Sequence, residues 1–159
     1  MEKNNKSLTV DDFRNCLKKY GLKVTPQRLA VHEAMLKLVH ASADMVTEEI
    51  KASGNAKVTV ASVYNILTQL TLLGIYSHRM SANNKMYFDV NPSRHIHLYD
   101  TVNHRFTDVV DDEFRKYAEE KLLSHRFRGF KLDGVDIQIL AHPSTRKTAG
   151  RKKADSGKQ

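Results

Sequence analysis

The sequence has almost no cysteine. Cys16 is the only one in 159 residues. That excludes an internal disulfide, a Cys-x-x-Cys redox pair and any thiolate-rich structural zinc site. Long apolar runs are missing too: none approaches the roughly 20 residues that span a bilayer, so no membrane partner is expected. The opening MEKNNKSLTV follows its charges with no apolar stretch, so it does not read as a signal peptide, and the expected location is cytoplasmic. Acidic residues are in deficit, 18 Asp+Glu against 26 Lys+Arg, for a net charge of +8. Apolar residues make up 40%, enough for a packed core in one or two small domains.

The positive charge is uneven. Residues 143–159, PSTRKTAGRKKADSGKQ, hold six Lys/Arg and one Asp, a net of +5, which leaves +3 for the rest. This stretch has no large apolar side chain and is expected to be a disordered basic tail. It is either a solubilising tail or an arm that adds salt-sensitive affinity for nucleic acid.

Residues 9–74 have helical periodicity. Val10, Phe13 and Leu17 repeat at i, i+3, i+7, and Gly21 ends that helix. Thr25-Pro26 is an N-cap followed by proline at the first helical position, starting a helix that runs to about Val39. Ser42 caps a third helix closed by Gly54. Thr59 caps a fourth, with Val63, Ile66, Leu67 and Leu70 on one face and Gly74 at its end.

The period then changes. Ile75–Met80 and Lys85–Val90 alternate as two strands around the polar turn Ser81-Ala82-Asn83-Asn84. Helices followed by such a hairpin suggest a winged helix-turn-helix. Arg94–Tyr99 and Arg105–Val110 read as two more strands. A helix capped by Asp111 or Asp112 follows, with Phe114, Tyr117, Ala118 and Leu122 on its inner face. A last strand is expected over Phe130–Ala141.

The fourth helix points to a partner. Its outward residues Ser62, Tyr64, Asn65, Thr68 and Gln69 carry no charge, whereas a solvated helix usually does. Such residues suit base edges in a major groove. A helix buried between subunits is the alternative. Lys23, Arg28, Lys51, Lys57, Arg79 and Lys85 are flanking cations able to hold phosphates.

The histidines point to chemistry. His95 and His97 stand at i and i+2 of a predicted strand, so both imidazoles share a face. Asp89 ends the preceding strand, Asp108 lies in the next, and His40 ends the second helix. Nitrogen and carboxylate donors without thiolate suit Fe(II), Mn(II) or Zn(II). On spacing alone, exposed or hydrogen-bonded histidines are the other reading.

The stretches GLKVTPQRLAV, HASADMVTEEI, TVASVYNILTQLTLLGI and YFDVNPSRHIHLYD occur in that order. In combination they resemble the ferric uptake regulator family, over about residues 10–142. The resemblance implies an α+β chain. A winged-helix DNA-binding domain (1–88) would precede a small α/β dimerisation and metal-sensing domain (89–142) and the tail (143–159). It implies a homodimeric repressor on a pseudo-palindromic operator in double-stranded DNA, controlling iron homeostasis or a peroxide response. One divalent metal ion per subunit would be held by His40, Asp89, His95, His97 and Asp108. The aspartate at 108 resembles the peroxide-sensing branch, where the iron-sensing branch usually has glutamate. The implied DNA contacts are Lys23, Gln27, Arg28, Ser62, Tyr64, Asn65 and Thr68; Tyr64 matches a base-contacting tyrosine and Lys23 a residue that enters the minor groove.

Two departures stand out. Asp100 and Asn103 occupy the places of a common Cys-x-x-Cys pair, and a second pair is absent, so no structural zinc held by four cysteines is expected. Arg94 and Ile96 replace a usual His and Asp of an accessory site, leaving His125 isolated. The same stretches also resemble haem-responsive members of the family, so haem is an alternative cofactor, although Cys16 precedes Leu17 rather than proline. A metal-independent DNA-binding protein is a second alternative. A metallohydrolase would need a nucleophile motif, a glycine-rich phosphate loop or a His-Glu-x-x-His helix; none occurs, so no enzyme is expected.

Overall fold

The computed structural model describes residues 7–144, so the expected basic tail lies outside the described residues from 145 onward. The first half runs α1 (Val10–Lys19), α2 (Pro26–Leu38), β1 (His40–Ala41), α3 (Ala43–Ser53), α4 (Val60–Leu72), β2 (Ser77–Met80) and β3 (Met86–Asp89). The second half runs β4 (Ile96–Asp100), β5 (Arg105–Val109), α5 (Asp112–Leu123) and β6 (Ile137–Ala141).

Each helix starts where a short polar side chain can satisfy an orphan amide. Thr9, Thr25, Ser42, Thr59 and Asp111 each accept from the backbone N–H three residues on. At α4 the bond is reciprocated, because Ser62 Oγ accepts from the Thr59 N–H at 3.0 Å. This capping box fixes the start of the uncharged helix. Gly54 closes α3 at φ +69°, a conformation open to glycine at little cost.

The apolar faces of α1–α4 meet in one core. Phe13, Leu17, Val31, Met35, Val46, Ile50, Val63, Leu67 and Leu70 are buried there. Leu67 is fully enclosed between the helices. Leu67→Ala is expected to cost about 2–5 kcal/mol, because the lost methyl contacts leave a cavity that packed neighbours cannot collapse into. Urea unfolding checks this, and a loss below about 1 kcal/mol would mean that the site relaxes.

Two small sheets follow the helical core. The first has the order β1-β3-β2, antiparallel throughout, with His40 opposite Asp89 and Ser77 also in register with Asp89. The second has the order β5-β4-β6, with β4 antiparallel to β5 and parallel to β6. Their side chains meet at a second, smaller core of Tyr87, Tyr99 and Phe106, with Met45 packed against it. Periodicity gave no sign of β1, which has only two residues. It exists because Val39, a β-branched residue, turns the chain sharply at φ +61°. Backbone bonds hold that turn: Val39 N–H donates to the Met35 carbonyl, and Val90 N–H donates to the Val39 carbonyl.

The last strand is shorter than the expected 130–141, starting only at Ile137. Asp133-Gly134 interrupts the apolar alternation before it. Helix α5 has no buried residue. Its expected inner face, Phe114, Tyr117 and Leu122, lies exposed, as do Ile139 and Leu140 of β6. The end of β4 and the turn after it hold Asp100 and Asn103. Asp100 Oδ1 accepts from the Val102 and Asn103 amides, and Asn103 Nδ2 donates to Asp100 Oδ2 at 2.7 Å. Hydrogen bonds close this turn. Among the described residues, no helix is long and apolar enough to cross a membrane.

Candidate metal centre

The five expected ligand residues come from both halves of the chain. β1 supplies His40, and the end of β3 supplies Asp89 directly opposite. β4 supplies His97, with Asp108 opposite on β5. His95 precedes β4 by one residue, because the strand starts at Ile96 and not at the expected Arg94.

One donor atom from each residue lies within 4.8 Å of all the others. Asp89 Oδ2 is 3.1 Å from His40 Nε2, 3.2 Å from His95 Nε2 and 3.1 Å from His97 Nε2. Asp108 Oδ1 is 2.9 Å from both His40 Nε2 and His95 Nε2. Asp89, His40 and His97 are buried, and Asp108 is the most open of the five.

These contacts have the character of a ligand set. All three imidazoles aim Nε2 at one region. His95 Nε2 and Asp108 Oδ1 are buried and close, yet neither makes a hydrogen bond of acceptable angle. Three imidazoles and two carboxylates aimed at one region, two of their donor atoms without a hydrogen bond, fit a shared cation at their centre, and the donor set suits a divalent ion of the Fe(II), Mn(II) or Zn(II) type. Neighbouring groups hold the donors in place. His95 Nδ1 donates to the Ser93 carbonyl at 2.7 Å, which leaves the Nε2 lone pair for a ligand. Asp89 Oδ1 accepts from the Asn91 N–H at 2.8 Å, orienting Oδ2 inward. The Phe106 ring lies about 6 Å from the His40 and His97 rings and walls one side. The Asn91-Pro92-Ser93 run was a turn signal that could have revealed these supports.

The charges are arranged accordingly. For His40, burial opposes protonation, but Asp108 and Asp89 outweigh it and lift the pKa to about 9. The same balance lifts His95 to about 10. For His97, burial wins over the Asp89 contact and lowers the pKa. Burial would raise both carboxyls, yet the histidines hold Asp89 and Asp108 well below the usual carboxylate range.

Four of the seven residues expected at DNA share one groove of the helical half. Gln27, Arg28, Ser62 and Asn65 line one groove with Thr25, Lys57 and Thr59. Tyr64 and Asn65 are exposed on α4, while Ser62 and Thr68 are half-buried. Tyr64 leans edge-on against Phe88 of β3, ring centres 5.9 Å apart. Lys23 is exposed, and its carbonyl accepts from Arg28 Nη1 at 2.7 Å. Arg28 Nη2 also donates to Gln69 Oε1 at 2.9 Å, joining α2 to α4. Arg79 differs from its expected phosphate role: it donates to Asp136 at 2.9 Å and lies over the Phe106 ring. His125 lies outside the metal cluster, in the exposed segment after α5.

Residues 19–140 match the family model described as the ferric uptake regulator family. Among solved structures, the Vibrio cholerae ferric uptake regulator is 22% identical with TM-score 0.68, covering 83% of this chain and 100% of that one. The Pseudomonas aeruginosa ferric uptake regulator, solved with manganese, is 26% identical with TM-score 0.63, covering 82% and 96%. The Campylobacter jejuni peroxide stress regulator is 25% identical with TM-score 0.58, covering 84% and 97%. No curated protein matches the sequence. With its capped uncharged helix, its wing and a family match over most of its length, the chain belongs to the ferric uptake regulator family, whose members are metal-dependent transcription repressors of iron homeostasis or peroxide response and not enzymes.

Proposed function

We propose that this chain is a homodimeric regulator that holds one divalent metal ion per subunit at His40, Asp89, His95, His97 and Asp108, and that this ion sets its affinity for DNA. The observation that carries the reading is the convergence of His40 and Asp89 from the first sheet with His95, His97 and Asp108 from the second. A bound divalent ion would supply positive charge that five donors from both sheets share. His40 and Asp89 then hold the winged half (1–88, with Asp89 at its edge), and His95, His97 and Asp108 hold the second domain (89–142). With that angle fixed, two recognition helices of a dimer fit half-sites about one helical turn apart.

α4 is the reading element. Tyr64 and Asn65 are exposed for base edges, with Ser62 and Thr68 beside them and Lys23, Gln27 and Arg28 toward the phosphates. The apolar faces of α5 and β6, with Phe114, Tyr117, Leu122 and Leu140 exposed, are the proposed dimer surface. Asp108 favours the peroxide-sensing branch over the iron-sensing one.

The test uses chelator-stripped full-length protein and a duplex selected from a random library in Mn(II). His95→Ala is expected to lose metal-dependent DNA binding and remain a dimer in sedimentation. A variant that binds Mn(II) and duplex like the parent would overturn the site. Tyr64→Ala is expected to weaken the metal-loaded complex by about 10–100-fold with Mn(II) affinity unchanged, since a good base contact is worth about 1–3 kcal/mol. Unchanged duplex affinity would remove α4 from the interface.

A further inference from the structure

A second tie joins the wing to the second sheet, away from the metal cluster. Tyr99 on β4 is buried to 1% exposure. Its hydroxyl accepts from the Ala82 N–H in the turn between β2 and β3 at 3.1 Å. The same hydroxyl stands 2.6 Å from His104 Nδ1. Because an amide can only donate, the phenol proton is free to go to His104, and the chain reads Ala82 N–H to Tyr99 O–H to His104 Nδ1. His104 is placed for this by its left-handed backbone, φ +53°, at the end of the turn that Asp100 and Asn103 close.

The rest of the contact is apolar and ionic. The Tyr99 ring packs on Phe106, centres 4.7 Å apart, and Phe106 meets Tyr87 of β3 at 5.3 Å. Arg79 of β2 covers Phe106 at 5.5 Å and reaches Asp136 ahead of β6. Tyr99 also stands two residues from His97 on the same strand, so both side chains point to one face.

We propose that Tyr99 is a positioning residue that pins the wing turn to the second sheet and ties the two halves without a metal ion. It rests on the regulatory reading above. The metal-free chain then keeps part of the domain arrangement that DNA requires. The metal response is smaller than in a chain hinged at the metal site alone.

The experiment uses the full-length protein, stripped or loaded with Zn(II), and a duplex selected by the parent protein from a random library. Tyr99→Phe keeps the ring and removes only the hydroxyl. Its Ala82 amide is expected to exchange with solvent about 10-fold faster, as for one lost hydrogen bond. Metal-free duplex affinity should fall several-fold, while Zn(II)-loaded affinity falls less, so the metal response grows. His104→Ala, which leaves the packing of Tyr99 on Phe106 intact, should move both readouts the same way and keeps the test open if Tyr99→Phe does not fold. Unchanged Ala82 exchange in either variant overturns the tie. Equal loss of duplex affinity with and without Zn(II) overturns its positioning role. If the parent binds no duplex in either state, the regulatory reading fails instead, and Ala82 exchange still decides the tie.

Discussion

Asp89→Ala is expected to lower Mn(II) affinity by at least about 100-fold and to destabilise the metal-free protein at pH 7 by about 3 kcal/mol. The first effect follows from ligand number. Divalent sites in small metal-folded domains bind with roughly 10–16 kcal/mol over four ligands, so each ligand is worth about 3 kcal/mol, or roughly 100-fold. The second follows from charge. Asp89 is buried and contacts all three imidazoles, and at pH 7 His40 and His95 are cationic. Removing one partner of a buried ion pair costs about 3–5 kcal/mol, because the other charge stays without compensation. Asp108 still lies 2.9 Å from both cations, which places the loss at the lower end. His97→Ala separates the two effects. Burial keeps that ring neutral, so its loss should cost metal affinity by a similar factor without the charge penalty. Titration with Mn(II) and urea unfolding in chelator measure both. An Asp89→Ala protein with parental Mn(II) affinity would falsify the ligand assignment.

Metal affinity is expected to rise about 100-fold per pH unit around pH 7. His40 and His95, with pKa values of about 9 and about 10, carry protons there, and Nε2 must shed its proton to accept a metal. Binding therefore releases about two protons, and the slope of log affinity against pH is about two. The slope should fall to one and then zero as pH passes through about 9 and about 10. The metal-free protein should respond in the opposite direction. Each raised histidine contributes stability that is fully present below its unfolded pKa of about 6.5. That contribution is lost as pH rises through about 9 for His40 and about 10 for His95. Asp89 and Asp108, held low, contribute stability that is present above about 3.8 and lost at more acid pH. Melting in chelator should thus weaken from pH 7 toward pH 10, while metal-loaded protein should hold steady, because its ligand histidines carry no proton to lose. Metal affinity flat with pH from 6.5 to 8 would mean that the two histidines do not bind through their protonated nitrogens.

The sequence alone determined the local elements. Thr25-Pro26 and the Thr59 cap marked α2 and α4, because capping and helical periodicity are properties of neighbours. Alternation marked the wing and β4–β5, and the polar turn at 81–84 fixed the hairpin. The donor residues could be named because their types suit metal chemistry and because four motifs together resemble one family. Tertiary structure decided what meets what. His40 faces Asp89 across 49 residues only through the two-residue β1, which has no period to read. Arg79 was counted among the phosphate contacts from its charge, and packing gave it to Asp136 and Phe106. The inner face expected of α5 lies exposed, because periodicity tells which residues share a face and not what packs against it. The Tyr99 bond to Ala82 had no signal at all. Such pairings rest on strand register and on the approach of distant surfaces, whereas composition and period describe only the faces that each element brings to them.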